Sequence, residues 1–327
     1  MTIELPADVS GRLPDDVTGR LQSARLSEGT ATLVLDVSGL EGLARDKLEV
    51  AARDALRGAP GVREVRVAMT ADRVTRKLVA VASGKGGVGK STVATNLAVA
   101  LSRAGSRVGL VDADIYGPSQ PRLLGNEGQK PEARDKQLVP VPSEWGIPLL
   151  SMGHLVDPGQ AIAWRGPMAG SALAQLVDAE WGDAELLVVD MPPGTGDVQL
   201  TMMQRFKPAG AVIVSTPQDL ALMDAARAVS LFDQGGIPIV GLVENMAGYV
   251  CPHCGNVSDP FGSGGAEAAA REMGMPFLGR IPLDTTIRQE SDAGRPVAAG
   301  EGPQAQAFAR IAGRIAGWLE GSGEAKT

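Results

Sequence analysis

The stretch SGKGGVGKST, residues 83–92, constrains this chain more than any other. It sets Gly84, Gly89, Lys90 and Ser91 in the spacing G-x-x-x-x-G-K-[ST], with VAVAS before it and STVATNLAVALSRAG after it. A loop of this kind grips phosphate through inward-turned backbone N–H groups and the positive end of a helix. It therefore needs a strand to deliver it and a helix to begin where it ends, and both flanking runs read that way. Gly84, Gly86, Gly87 and Gly89 give the backbone its freedom, with Lys85, Val88 and Thr92 completing the phosphate-facing segment. Lys90 is expected to reach the β- and γ-phosphates of a nucleotide, and the Ser91 hydroxyl to hold Mg²⁺.

The rest of the chain from residue 76 to 320 supplies the matching frame. KLVAVAS, SRVGLVDAD, ELLVVDMPPG, AGAVIVSTPQ, IPIVGLVENM and PFLGRIP are short apolar runs that end in polar or turn residues, with helical stretches between them. Nearly continuous apolar strands alternating with helices predict an α/β fold, a P-loop NTPase whose mostly parallel sheet is covered by helices on both faces. Functional groups then gather at the carboxyl ends of the strands. Residues 1–75 read as a separate small α/β domain: strand TATLVLDV (30–37), helix 41–58, strand VREVRVAM (62–69), and the charged connector TADRVTRK (70–77). The tail 321–327 reads as disordered.

Two of the strand ends carry acids. VDADIYGPS places Asp112 and Asp114 one residue apart, a pair suited to a Mg²⁺ shell and to orienting an attacking water. LLVVDMPPGTGD ends its strand at Asp190, a second Mg²⁺-linked position, ahead of a Pro/Gly-rich loop suited to sensing a γ-phosphate. Asn245, at the end of VGLVENMAG, is either a strand cap or a reader of a base edge.

The only two cysteines, Cys251 and Cys254, stand in CPHCG. Glycine, asparagine and proline follow them, so the first cysteine lacks the helix N-terminus that a thioredoxin-type redox pair uses. Zinc and cubane iron–sulfur clusters each want about four ligands, and one chain offers two thiols. His253 lies inside the tight pair and reads as a loop residue, and His154 as one that packs or faces solvent. The missing ligands are then expected from a second copy of the chain across a two-fold axis.

Composition narrows the function classes. Lys and Arg number 31 against 38 Asp and Glu, which argues against a nucleic-acid groove. No apolar run is long enough for a membrane helix, and MTIELPADVSGR lacks the pattern of a secretory signal. A cytoplasmic, reducing setting is expected, where thiols stay available as ligands.

KGGVGKST resembles the deviant phosphate loop of the MinD/ParA/Mrp ATPases. The run ENM, CPHCG and FGSGGAEAAA, together with VDADIYGPS and VVDMPPGTGD, resembles the Mrp/ApbC iron–sulfur cluster carriers over residues 78–320. The resemblance implies an ATP hydrolase that works as a homodimer. In it Lys85 reaches the partner's nucleotide and acts in catalysis with Lys90, Asp114 positions water, and Asn245 reads adenine. It also implies a [4Fe–4S] cluster bridging two subunits through Cys251 and Cys254 and passing to apo iron–sulfur proteins, with neither nucleic acid nor membrane as partner. The N-terminal unit resembles the small assembly domain of these proteins, but DVSGLEGLARDK (36–47) lacks that domain's usual cysteine. A docking or structural role is expected for it.

Three alternatives remain at this level. A MinD/ParA-like positioning ATPase leaves CPHCG unexplained, and the C-terminal helix 304–321 looks like packing, with Phe308, Ile311, Ile315 and Leu319 on one side. A redox ATPase of the nitrogenase iron protein kind spaces its cysteines far apart. A dimeric ATPase with structural zinc suits CxxC equally well.

Overall fold

The structure is a computed structural model that describes residues 5–37, 40, 42–70, 76–134, 137–155, 166–251 and 253–324. The chain divides into two compact units, Met1–Thr75 and Arg76–Thr327. The connector expected at 70–77 lies mostly outside the described residues.

In the first unit, β1 (Leu21–Ser27), β2 (Thr30–Asp36) and β3 (Glu64–Thr70) form one sheet in that order. The β1–β2 pair is antiparallel, and β2–β3 is parallel across α1 (Gly42–Leu56). The turn between β1 and β2 is Glu28–Gly29, both at positive φ (50° and 84°), a backbone that matches the twist of a tight hairpin. Strand β2 alternates, burying Ala31, Leu33 and Leu35 in a core that includes Leu48, Ala52 and Leu56 of α1. The sequence LQSARLS gives β1 away poorly because none of its residues is fully buried.

The second unit is built on seven parallel strands. They are β4 (Lys77–Ala82), β5 (Val108–Asp112), β6 (Leu149–Ser151), β7 (Leu186–Asp190), β8 (Gly210–Ser215), β9 (Ile239–Glu244) and β10 (Phe277–Arg280). Their order across the sheet is β10-β9-β8-β4-β7-β5-β6. The six strands expected from the apolar runs are all present, and three-residue β6 is the addition. Alternate residues of β4 feed two cores: Ala80 and Ala82 join Leu173, Phe232 and Met202 on one face, Val79 and Val81 join Leu97, Leu101 and Phe308 on the other. The helices concerned are α2 (Lys90–Arg103), α3 (Gly166–Val177), α4 (Asp219–Gln234), α5 (Gly265–Glu272) and α6 (Pro303–Glu324).

In α6, Phe308, Ile311, Ile315 and Leu319 are buried, as a packing helix requires. The helix runs to Glu324, so residues 321–324 are helical where coil was expected. A helix anchored by packing extends cheaply, one hydrogen bond per added residue, even through Gly and Ser. Among the described residues no helix is long and apolar enough to cross a membrane.

His154, in the single turn after β6, is buried, and neither ring nitrogen has a hydrogen-bond partner. Burial keeps it neutral and lowers its pKa to about 4. The unfolded chain takes up that proton near pH ~6.5, so it binds more protons than the folded protein below that pH. Stability from this site is therefore lost as pH falls from 6.5 toward 4. His154→Leu should stabilise the protein more at pH 5 than at pH 7.5, as read from denaturant midpoints at the two pH values.

Candidate functional site

The phosphate loop joins β4 to α2 at the centre of the sheet, where the connections diverge to either side. Two of its glycines are required by contact. A Cβ on Gly84 would stand 2.0 Å from the backbone carbonyl of Asp224 in α4. Gly89 has φ 77°, and a Cβ there would meet Asn245 Nδ2 at 2.3 Å. The loop encloses a cavity of about 260 Å³ lined by Lys85 through Thr92, with Asp114, Ser119 and Pro193 on its other walls.

Lys90 is 6 % exposed, and its Nζ donates to Asp190 Oδ1 and lies 3.9 Å from Asp114 Oδ2. Asp190 is fully buried, and its second oxygen accepts from Gln120 Nε2 at 2.8 Å. The same Gln120 nitrogen donates to the Ser91 carbonyl at 3.0 Å, and the Gln120 Oε1 accepts from the Thr95 hydroxyl. Gln120 thus ties the acidic segment to the loop and to Asp190. Sequence reasoning missed it, because a glutamine in GPSQPRLLG carries no motif signal.

Asp112 is also fully buried and does not line the cavity. Its oxygens accept from the backbone N–H groups of Asp114, Ser119 and Gln120 and from the Ser151 hydroxyl on β6. Burial and the neighbouring Asp190 push its pKa up to about 7. Asp114 does face the cavity. Burial raises its pKa, with Lys90 pulling the other way, while one oxygen accepts from the N–H groups of Tyr116 and Gly117.

The loop after Asp190 touches the phosphate loop directly, Gly194 N–H donating to Ser83 O at 3.0 Å. Gln199, a second residue without a sequence signal, holds it in shape by donating to the carbonyls of Pro192 and Gly194 and accepting from Gly196 N–H. Asn245 is buried, and its amide donates to Val88 O at 2.8 Å. The side chain is therefore in contact with the loop as well as with the end of β9.

The cysteines cap a two-residue-stranded hairpin in which Tyr249–Val250 pairs with Val257–Ser258. Gly255 N–H donates to Cys251 O, and Cys251 N–H to Asn256 O, each at 2.9 Å. Among the described residues no helix starts at Cys251. Both thiols are free, Cys251 partly exposed and Cys254 exposed. Hydrogen bonding from the His253 and Cys254 N–H groups and from the Cys254 thiol draws the Cys251 pKa down, toward the thiolate that binds metal. Among the described residues no group of three or more His, Cys, Asp or Glu is placed to hold a metal ion.

A parallel sheet with this loop at its centre and acids at neighbouring strand ends defines a P-loop NTPase. The family described as ParA, "NUBPL iron-transfer P-loop NTPase", matches residues 74–316. The iron–sulfur cluster carrier protein of Pseudomonas fragi is 47% identical over 273 residues, covering 81% of this chain and 91% of that one. The carrier of Deinococcus radiodurans is 43% identical over 314 residues, covering 92% and 89%. Among solved structures, a nucleotide-binding protein from Archaeoglobus fulgidus in complex with ADP is 42% identical with a TM-score of 0.59, covering 67% of this chain and 86% of that one. The Pyrococcus furiosus cell division ATPase MinD, at 23% identity and TM-score 0.58, shares the fold over 74% of this chain and 99% of its own. The chain belongs to the iron–sulfur cluster carrier family of P-loop NTPases.

Lys90→Met would leave Asp190 buried with only Gln120 as partner, a loss of about 3–5 kcal/mol in the nucleotide-free protein. Lys90→Met combined with Asp190→Asn should recover most of that stability. Urea unfolding of the single and double variants checks this, and purely additive losses would refute the pairing.

Proposed function

We propose that the protein binds and hydrolyses ATP and carries a [4Fe–4S] cluster between two copies of itself, from which the cluster passes to apo iron–sulfur proteins. The observation that carries this reading is the cysteine hairpin: two accessible thiols, one already tuned toward thiolate, with no third ligand beside them among the described residues. Two such hairpins facing each other supply four thiolates, the set a cubane cluster uses. A reducing cytoplasm keeps these thiols available.

At the nucleotide site, the N–H groups of residues 84–92 and the Lys90 ammonium bind phosphate oxygens. The Ser91 hydroxyl, on the cavity wall, would be the Mg²⁺ ligand, with Asp190, tied to the Ser91 carbonyl through Gln120, as the acid behind it. Asp112, held by four donors away from the cavity, would fix the segment that presents Asp114. Mg²⁺ supplies neutralisation of charge on the β- and γ-phosphates. Asp114 faces the same cavity and orients the attacking water, while Lys85, half-buried on the wall, supplies positive charge to the nucleotide of the partner copy. Asn245 reads the adenine edge with its remaining hydrogen-bonding capacity.

The test is anaerobic reconstitution with iron and sulfide, followed by iron, sulfide, zinc and solution-mass determination for the parent, Cys251→Ala and Cys254→Ala. About two iron and two sulfide per chain in a dimer, lost in both variants, is the expected result. One tightly held zinc per dimer with no cluster uptake would overturn the carrier role.

A further inference from the structure

Between the phosphate loop and the cysteine hairpin runs a short segment, Glu244–Gly248, that is pinned along its length. Asn245 N–H donates to Ser215 O at 2.8 Å, Ala247 N–H to Ile281 O at 3.0 Å, and Gly248 O accepts from Leu283 N–H at 2.9 Å. Tyr249 then bridges to Leu283. Glu244, fully buried, accepts from Ala266 N–H at 2.8 Å and Arg280 Nε at 2.9 Å, and so ties the strand before the hairpin to the helix after it. The hairpin is rooted in the sheet rather than hung from it.

Two residues of this root also touch the loop. Asn245 Nδ2 donates to Val88 O at 2.8 Å. Met246 reaches over Gly89, its methyl carbon 3.5 Å from where a Cβ there would stand. Met246 has φ 60°, a conformation that costs a residue with a side chain and persists only where its surroundings impose it.

The Val88 carbonyl and the Gly89 N–H belong to one planar peptide. A phosphate that draws the Gly89 N–H toward itself turns the Val88 oxygen at the other end of the same plane, and Asn245 is bonded to that oxygen. We propose that Asn245 and Met246 are positioning residues that carry the nucleotide state of the phosphate loop to the Cys251–Cys254 hairpin. Cys251 lies six residues beyond Asn245 along a path with little slack. The use of the motion, to loosen or tighten a cluster, rests on the carrier reading above. The mechanical link does not.

Hydrogen–deuterium exchange of amides 248–258 in the full-length, cluster-free protein, with and without saturating Mg·ADP, tests the link. Asn245→Ala and Met246→Gly are compared with the parent, and nucleotide affinity and solution mass are measured on the same samples. In the parent, nucleotide should change hairpin exchange by about fivefold or more. In Met246→Gly, which slackens the joint, the phosphate loop should still be protected by nucleotide while the hairpin response is lost, and Asn245→Ala should lose it too. A parent hairpin indifferent to nucleotide, or an undiminished response in Met246→Gly, would overturn the proposal. Because the readout needs no cluster, a link found in a protein that takes up no cluster would stand while the carrier reading fell.

Discussion

Lys90 carries its charge where little water can reach it, and much of the second unit is arranged so that it can. An unpaired ammonium in such a place is costly, so carboxylates must be brought to it by rigid elements. The order β8-β4-β7-β5 does this: β4 delivers the loop that bears Lys90, and β7 beside it ends at Asp190. One strand further, Asp112 pairs in register with Asp190 at the end of β5. Gln120 and Thr95 then satisfy the oxygen that Lys90 leaves free and the carbonyl of Ser91. In the nucleotide-free chain, Asp190 is the counter-charge for Lys90. In the proposed ATPase, a bound triphosphate would offer Lys90 other anions, and with Mg²⁺ would redistribute the charge around Asp190 and Asp114. Nucleotide binding would then be an exchange of ion pairs within one buried network.

The same network explains why two acids one residue apart behave differently. Asp112 points into the packing between β5 and the Gln120 turn, where four donors hold it and burial, with a second carboxylate nearby, raises its pKa. Asp114, beyond the strand end, faces the cavity and uses one oxygen to shape its own turn. The first fixes the segment, and the second is left to meet a ligand.

What the sequence made legible follows physical lines. Strands buried on both faces announce themselves as apolar runs, so β4, β5, β7, β8 and β9 were readable, and the edge strand β10 was marked by its short apolar run PFLGRIP. Strand β6 is three residues, Leu149–Ser151, too short for a pattern, and β1 is a half-exposed edge with mixed composition. The phosphate loop was readable because backbone geometry demands glycine at fixed places. Gln120 and the Asn245–Val88 bond were not, because each depends on which elements the fold brings together, across 70 residues in the case of Gln120 and Asp190. Gln199 was not, because its bonds within its own loop follow no motif.

A carrier must hold its cargo firmly enough to transport it and loosely enough to give it up. Four thiolates from one chain would make a cluster a resident group, whereas two thiolates from each of two chains make its retention depend on how the chains meet. The hairpin suits such a division: it exposes Cys254 and the flanking Val250 and Val257 on a short, twisted pair of strands, yet its root is fixed to β9 and β10 by Glu244, Ala247 and Gly248. In the proposed carrier, a nucleotide that shifts the root would change cluster affinity, and by linkage the cluster would change nucleotide affinity by the same factor. In the proposed carrier, loading and release are therefore not separate from the ATPase site. They are the other side of the same equilibrium, joined through the few residues between Val88 and Cys251.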